Sequence, residues 1–430
     1  MEKQWRISEQ LNIQVTGDLQ TQLSVDRVVA QLLKQRQINT YSEAKSFFRP
    51  DLQQLHDPFL MKGMQKAIER IQAAILKNES VMIFGDYDVD GTTAVSIVYS
   101  FFKQHVKKIS YYIPDRYKEG YGISFMGIDY AKQNNISLII ALDCGIKAND
   151  KIEYANKYGI DFIICDHHLP GNILPKAYSI LDQKQLDCNY PYKELSGAGI
   201  GFKLIQAYSI SEGLKPEECY QYLDLVATSI AADVVPITGE NRIMAHFGLE
   251  IINNSPRPGI KALLNLNEQK NPVNISTLVF TLAPRINAAG RIEHGSKSVE
   301  LLSCEDDSLA FEYAKAINET NTQRKDIDSE TTLEAYVILE KDPLSLLKKT
   351  TVLFNTNWHK GIVGIVASRL IEKYYRPTIV LTESDGKISG SARSVKDFDV
   401  YSAIEKCSDL LEQFGGHKYA AGLTMKEENL

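Results

Sequence analysis

The run Val81-Met82-Ile83-Phe84-Gly85-Asp86-Tyr87-Asp88-Val89-Asp90-Gly91 limits what this chain can fold into more than any other stretch. A short apolar segment, read as a buried strand, breaks into three aspartates at alternate positions. Crowded carboxylates repel one another and resist losing water, so folding alone gives no reason to gather them at a strand end. A divalent cation reverses that balance, because hard cations take several anionic oxygens. The arrangement then recurs: the apolar segment 138–142 ends in Asp143, and 162–165 ends in Asp166-His167-His168. Three predicted strands thus deliver acid or imidazole at their C-terminal ends, the edge where open α/β sheets build their sites.

The 430 residues exceed one typical core, and two or three domains are expected. Residues 1–75 read as a helical extension packing on the core, with helices at 42–48 and 64–76. In 76–304 strands at 81–85, 109–113, 138–142 and 161–165 alternate with helices at 92–104, 125–133 and 150–158. Helices at 197–210, 216–232 and 242–253 follow, and Pro170-Gly171 turns the chain after the histidines. This alternation predicts an α/β fold, a parallel sheet with helices on both faces. Residues 305–342 read as a connecting helix, polar and free of Gly and Pro over 305–339. A smaller α/β domain is expected at 343–430: strands 351–354, 378–381, 387–393 and 419–424, a helix at 362–375, and a turn at 414–417.

Composition narrows the setting. No charge-free apolar run is long enough to span a membrane, and the first six residues lack the apolar core of a secretory signal. Six cysteines are scattered without a C-x-x-C pair, which argues against disulfides and a thiolate zinc site and for a reducing cytoplasm. A formal charge of −6 argues against a broad basic coat but leaves room for a local basic groove.

Asp86-x-Asp88-x-Asp90-Gly91 superficially matches the start of an EF-hand loop, but its twelfth position is Ile97 and a strand precedes it. A solvated acidic turn is the plain alternative, weakened by two further strands that end in aspartate. The His167-His168 pair after a buried strand reads as metal ligand plus phosphate contact, with a structural loop pair as the alternative. Mostly carboxylate ligation with one imidazole suits Mn²⁺ or Mg²⁺ more than Zn²⁺. Two ions roughly 3.5–4 Å apart need a bridging carboxylate and flanking ones. The expected ligands are Asp86, Asp88, Asp90, Asp143, His167 and Asp233, with Asp166 orienting His167 or its neighbours. Asp233 closes an apolar, small-residue helix against its dipole; ligation explains that, and an exposed helix end is the alternative. Ser196 before a glycine-rich helix fails the P-loop spacing and reads as an N-cap. Ser391 and Arg393 alternate with Ala392, so they share one face of a strand. Of Tyr111, Tyr112, Tyr117 and Tyr121 around Arg116, some read as core and one or two as base-stacking surfaces.

These residues resemble the DHH phosphoesterase superfamily. Residues 85–91 look like its first motif, 142–145 its second, Asp166-His167-His168 its third and 231–236 its fourth, in the family's order. Residues 113–116, 120–122 and 284–291 are similar to the branch of single-strand-specific 5′→3′ DNA exonucleases. Residues 389–393 and Gly415-Gly416-His417 resemble the DHH-associated domain. The resemblance implies metal-dependent release of mononucleotides from single-stranded DNA in repair and recombination. It implies that His168 meets the scissile phosphate and that a 5′-phosphate site includes Arg116, Ser391 and Arg393. Arg285 or Arg291 is a further candidate, with surface arginine as the alternative, and His417 would line the cleft. A monomer is expected, with a single-strand-binding protein and a helicase as partners. The branch usually continues into an OB-like domain beyond the Gly-Gly-His strand, so a weaker grip on DNA is expected here. The rival readings are an oligonucleotide or dinucleotide phosphodiesterase and a non-catalytic DNA-binding scaffold.

Overall fold

The computed structural model describes residues 19–430 apart from 270, 343, 345, 346 and 385; the first eighteen residues of the expected N-terminal extension lie outside it. Five strands form the first sheet: β1 Ser80–Gly85, β2 Lys108–Tyr112, β3 Ile136–Leu142, β4 Asp161–Cys165 and β5 Ser179–Leu181. All are parallel, in the order β2-β1-β3-β4-β5. The three-residue β5 was not anticipated, being too short to show a period.

Burial follows strand parity. Val81, Ile83, Leu138, Ile140, Ile163 and Cys165 face one apolar cluster, while Met82, Phe84, Ile139, Ala141, Phe162 and Ile164 face a second. Both faces are therefore covered, as a parallel sheet requires. The first face is covered by α1 Met64–Leu76, α2 Val89–Phe102, α3 Gly197–Ser211 and α4 Leu223–Ala232. Helices Phe125–Gln133 and Asn149–Asn156 cover the second. The helix expected over 216–232 is two pieces, Glu217–Tyr220 and α4, and the helices between 258 and 302 were not read, among them Pro258–Leu266, α5 Ala283–Ile292 and Ser296–Leu302.

Strand order reverses between β1 and β3, and the crevice at such a reversal is where ligands bind. Register makes that edge acidic. Gly85 pairs with Leu142, Leu142 with Cys165, and Cys165 with Leu181. The next residues in the four strands are Asp86, Asp143, Asp166 and Asp182. Amides at Asp143 and Asp166 extend the pairing by one step, to Cys165 O at 2.8 Å and Leu181 O at 3.0 Å.

The connecting helix α6, Asp307–Lys341, has 35 residues, about 52 Å at 1.5 Å per residue. Beyond it, β6 Thr351–Phe354, β7 Thr378–Ser384, β8 Lys387–Arg393, β9 Gln413–His417 and β10 Ala420–Met425 form a mixed sheet, in the order β6-β7-β8-β10-β9. The Gly-Gly-His segment, expected to be a turn, is strand β9, with Ala420 opposite His417 across a two-residue loop. Gly416 makes this possible: at φ +142° a Cβ there would lie 2.3 Å from Ala420 O.

Candidate metal centre and cleft

Asp86 follows β1, but the other two aspartates of the first motif belong to the next element. Asp88 is the N-cap of α2, accepting from Gly91 N at 2.9 Å, and Asp90 falls in the first turn. The helix therefore begins three residues before the expected position 92. Gly91 allows the tight turn, since a Cβ there would sit 2.5 Å from Asp86 O.

His167 Nε2 is the centre of convergence. It lies 3.2 Å from Asp143 Oδ1 and 3.6 Å from both Asp90 Oδ2 and Asp233 Oδ2. Asp90 is held most firmly: Oδ2 accepts from Gly197 N at 2.7 Å, and Oδ1 from Ala198 N at 2.8 Å and Ser229 Oγ at 2.7 Å. The N-terminus of α3 thus cradles a carboxylate with two free amides and its dipole. Gly197 also backs Asp143, because a Cβ there would come within 2.6 Å of the Asp143 Cβ. Asp143 itself takes a left-handed backbone, φ +58°.

The electrostatics call for a cation. Burial, then the charge of Asp88, pushes the Asp86 carboxyl well up; burial, then Asp90, does the same to Asp143. Burial and the charges of Asp90 and Asp88 lift Asp233 to about 8. Burial lowers the His167 imidazole against the pull of Asp90, favouring the neutral form that a ligand needs. Asp86 Oδ2, Asp143 Oδ1 and His167 Nδ1 are buried without a hydrogen-bond partner. Such orphaned atoms are costly unless something fills their coordination, and oxygen-rich donors with one imidazole fit Mn²⁺ or Mg²⁺.

Asp166 serves His168 rather than His167. Its Oδ1 lies 2.8 Å from His168 Nδ1, and its Oδ2 accepts from Ile146 N at 2.9 Å. Burial works against this carboxylate, yet His168 and the amide hold it down at about 2. In return His168, opposed by burial, is raised to about 9 and is cationic at neutral pH. Its ring stands exposed at the cluster's rim, with Nε2 3.4 Å from the Tyr121 hydroxyl.

A cationic pocket faces the acids. Burial and the charges of Arg116 and Arg393 lower Arg291 to about 9, and burial with Arg116 lowers Arg393. Three guanidiniums from a loop, α5 and β8 therefore repel one another across a shared space. Arg116 stacks over Tyr87 at 4.9 Å, and Arg393 donates to Ser391 Oγ at 2.8 Å. His417 lies near Arg393 and His168, both of which oppose its protonation after burial. Asn287 joins Asp88, Asp90 and Asp233 around one small cavity and Arg291 and Arg324 around a second.

Arg285 is not brought to this pocket. Its guanidinium donates to Asn267, Thr281 O and Asn318, fastening α5 to its neighbours. Of the tyrosines, Tyr112 stacks on Phe84 and Tyr111 packs on Tyr99 in the core, while Tyr121 is half exposed beside His168. Tyr117 closes the junction between the two sheets, donating to Arg291 O beside His359 and Gly361. Sequence reasoning missed His359, Gly361, Asn287, Ser229 and the α3 amides. The glycine-rich start of α3 was the one available signal, and Ser196 does cap it, accepting from Gly199 N at 3.2 Å.

Residues 80–230 match the DHH family, N-terminal domain, and residues 347–430 match the DHHA1 domain, so fold and site define a DHH–DHHA1 protein. The chain is 41% identical to the single-stranded-DNA-specific exonuclease RecJ of Bacillus subtilis, over 96% of this chain and 52% of that protein. It is 36% identical to RecJ of Salmonella typhimurium, over 85% of this chain and 67% of that one. The crystal structure of RecJ in complex with Mn²⁺ from Thermus thermophilus superposes with a TM-score of 0.84 at 27% identity, covering 99% of this chain and 60% of that one. The chain belongs to the RecJ family. It spans about half the length of the Bacillus relative.

Proposed function

We propose that this chain hydrolyses single-stranded DNA from its 5′ end to mononucleotides, with two Mn²⁺ or Mg²⁺ ions, in DNA repair and recombination. The observation that carries the reading is the meeting of a buried, under-satisfied acid–imidazole cluster with a pocket of three mutually repelling arginines. The first suits cations and the second an anion, and a terminal phosphodiester needs both. The RecJ relatives are named for this substrate, and the Thermus structure contains Mn²⁺.

In this reading Asp86, Asp88, Asp90, Asp143, His167 and Asp233 hold the cations, which supply charge neutralisation and a water of low pKa. His168, kept charged by Asp166, contacts the scissile phosphate. Arg116, Arg291, Ser391 and Arg393 grip the 5′ phosphate, where planar guanidiniums bind two oxygens at once. Tyr121 offers a face to a base. Residues 76–304 form the catalytic unit, 305–342 the connection and 343–430 the substrate-binding unit. A monomer in the cytoplasm, recruited by a single-strand-binding protein and a helicase, belongs to the same proposal and is tested by sedimentation and co-purification.

The test is release of mononucleotides from end-labelled single strands with Mn²⁺. Asp143→Ala and His167→Ala should abolish it while the protein stays folded. Near-normal turnover by either variant at saturating Mn²⁺ would overturn the two-ion assignment, and preference for dinucleotides would favour the phosphodiesterase.

A further inference from the structure

A cavity of about 200 Å³ is lined by residues of α5, the connecting helix α6 and the second unit. Pro284 accounts for part of its shape. A proline has no amide to offer Phe280 O four residues back, and the turn before it, Leu278–Leu282, is a π-helix. Such wide turns are rare and recur at functional sites. Val279 from this turn, Pro284, and Ile365 of the helix Val363–Tyr374 give the cavity an apolar lining. Asn287, Arg291 and Arg324 supply its polar part.

The two guanidiniums are short of counter-charge. Among the described residues Arg291 donates only to Gly361 O, at 3.3 Å. Arg324 donates to Asn321 Oδ1 at 3.0 Å and lies 3.6 Å from Asp328 Oδ2. Asp328 is already engaged, since its two oxygens accept from Arg369 at 2.9 and 2.7 Å. The Arg324 Nε is buried with no hydrogen-bond partner, a cost that a bound acceptor removes. Asn287 and Ala232 also line the neighbouring cavity of about 40 Å³, which is bordered by Asp88, Asp90 and Asp233. The larger cavity thus meets the arginine pocket at Arg291 and the metal cluster at Asn287. Elsewhere a closed apolar cavity of about 150 Å³ takes a benzene ring, so this one, with donors beside its apolar lining, suits a single nucleobase.

We propose that this cavity receives the base of the 5′-terminal nucleotide, with Arg324 donating to an acceptor on the base edge. The nucleoside then lies between the 5′ phosphate at Arg291 and the phosphodiester beside Asp88, Asp90 and Asp233, which fixes the cut at one nucleotide from the end. This rests on the exonuclease reading and deepens it. It gives the connecting helix a substrate contact as well as a linking role. The bland alternative is that Arg324 only braces α6 through Asn321 and Asp328, and that water fills the cavity.

The experiment measures kcat/KM with Mn²⁺ on two 5′-phosphorylated single strands, identical except that one carries a tetrahydrofuran abasic residue at its 5′ end. Wild type should favour the ordinary end about ten- to a hundredfold, the range for one charge-assisted hydrogen bond. Arg324→Met should shrink that ratio toward one, and Arg324→Lys should recover part of it. Val279→Trp, which fills the cavity from the π turn, should shrink it as well, with melting curves to show that each variant is folded. A wild-type ratio near one would overturn the proposal without any variant. Arg324→Met that slows both strands equally would overturn it too, because a brace within α6 serves both alike. Wild type that leaves both strands intact would bring down the exonuclease reading itself, and this inference with it.

Discussion

Asp166 Oδ1 lies 2.8 Å from His168 Nδ1, and the pair turns an otherwise ordinary histidine into a fixed cation facing the cleft. His168 is raised to about 9, so its contribution to stability is full below its unfolded value of about 6.5 and fades as pH passes 9. Asp166 is lowered to about 2, so its contribution is full above its unfolded value and is lost as pH falls through 2. Asp166→Asn should therefore destabilise the metal-free protein most between about pH 4 and 6.5, and progressively less toward pH 9. Melting curves across that range check this. An NMR titration should show His168 falling toward its ordinary value in the variant; a ring still charged at pH 8 would refute the pairing.

Cation binding should compete with protons. Asp86 and Asp143 are pushed well up and Asp233 to about 8. Acids raised on folding make the metal-free protein less stable as pH climbs from about 4 toward 8, because the folded state must give up protons it holds more tightly than the unfolded chain. Mn²⁺ relieves that cost, so its affinity and its stabilising shift in melting temperature should both grow from pH 6 to 8. Isothermal titration in buffers of different ionisation enthalpy should show protons released on binding. A pH-independent affinity would mean that these carboxylates are not the ligands.

Gly197 tests how closely the sheet edge and α3 are fitted. Gly197→Ala places a Cβ 2.6 Å from the Asp143 Cβ and must push Asp143 aside. Overpacking of this kind costs about 1–3 kcal/mol. A displacement near 1 Å at a reacting centre can cost about a hundredfold in rate. The variant should thus fold, melt somewhat lower and lose about a hundredfold in kcat. Wild-type turnover would show that Asp143 is not held by this contact.

Arg393→Ala should raise the substrate concentration needed more than it slows turnover. A lost charge-assisted hydrogen bond costs about 1.5–3 kcal/mol. The defect should shrink on strands without a 5′ phosphate, since Arg393, Arg116 and Arg291 share one pocket. Steady-state kinetics on matched phosphorylated and unphosphorylated strands decide it, and equal losses on both would remove the pocket from the 5′ end.

Arg285 and Arg291 show where reading a sequence stops. They lie in one short motif, six positions apart, and each is followed by isoleucine. One fastens α5 through Asn267, Thr281 and Asn318, and the other is buried toward the cleft. Nothing local separates them; the packing of α5 against Tyr87, where Gly290 leaves no room for a Cβ, decides which one points inward.

What the chain's sequence determined by itself was the parallel sheet, its acidic edge, the connecting helix and the acids and histidines at the strand ends. Those follow from period and from the rule that carboxylates do not crowd without a counter-charge, and both are local properties. Tertiary structure alone decided that Asp88 and Asp90 belong to a helix, that α3 amides from 107 residues away hold Asp90, and that β5 adds Asp182 to the row. It also decided that Tyr117, His359 and Gly361 close the junction between the sheets. Each of these depends on register and on the approach of distant backbones, and a backbone amide looks the same at every position of a sequence.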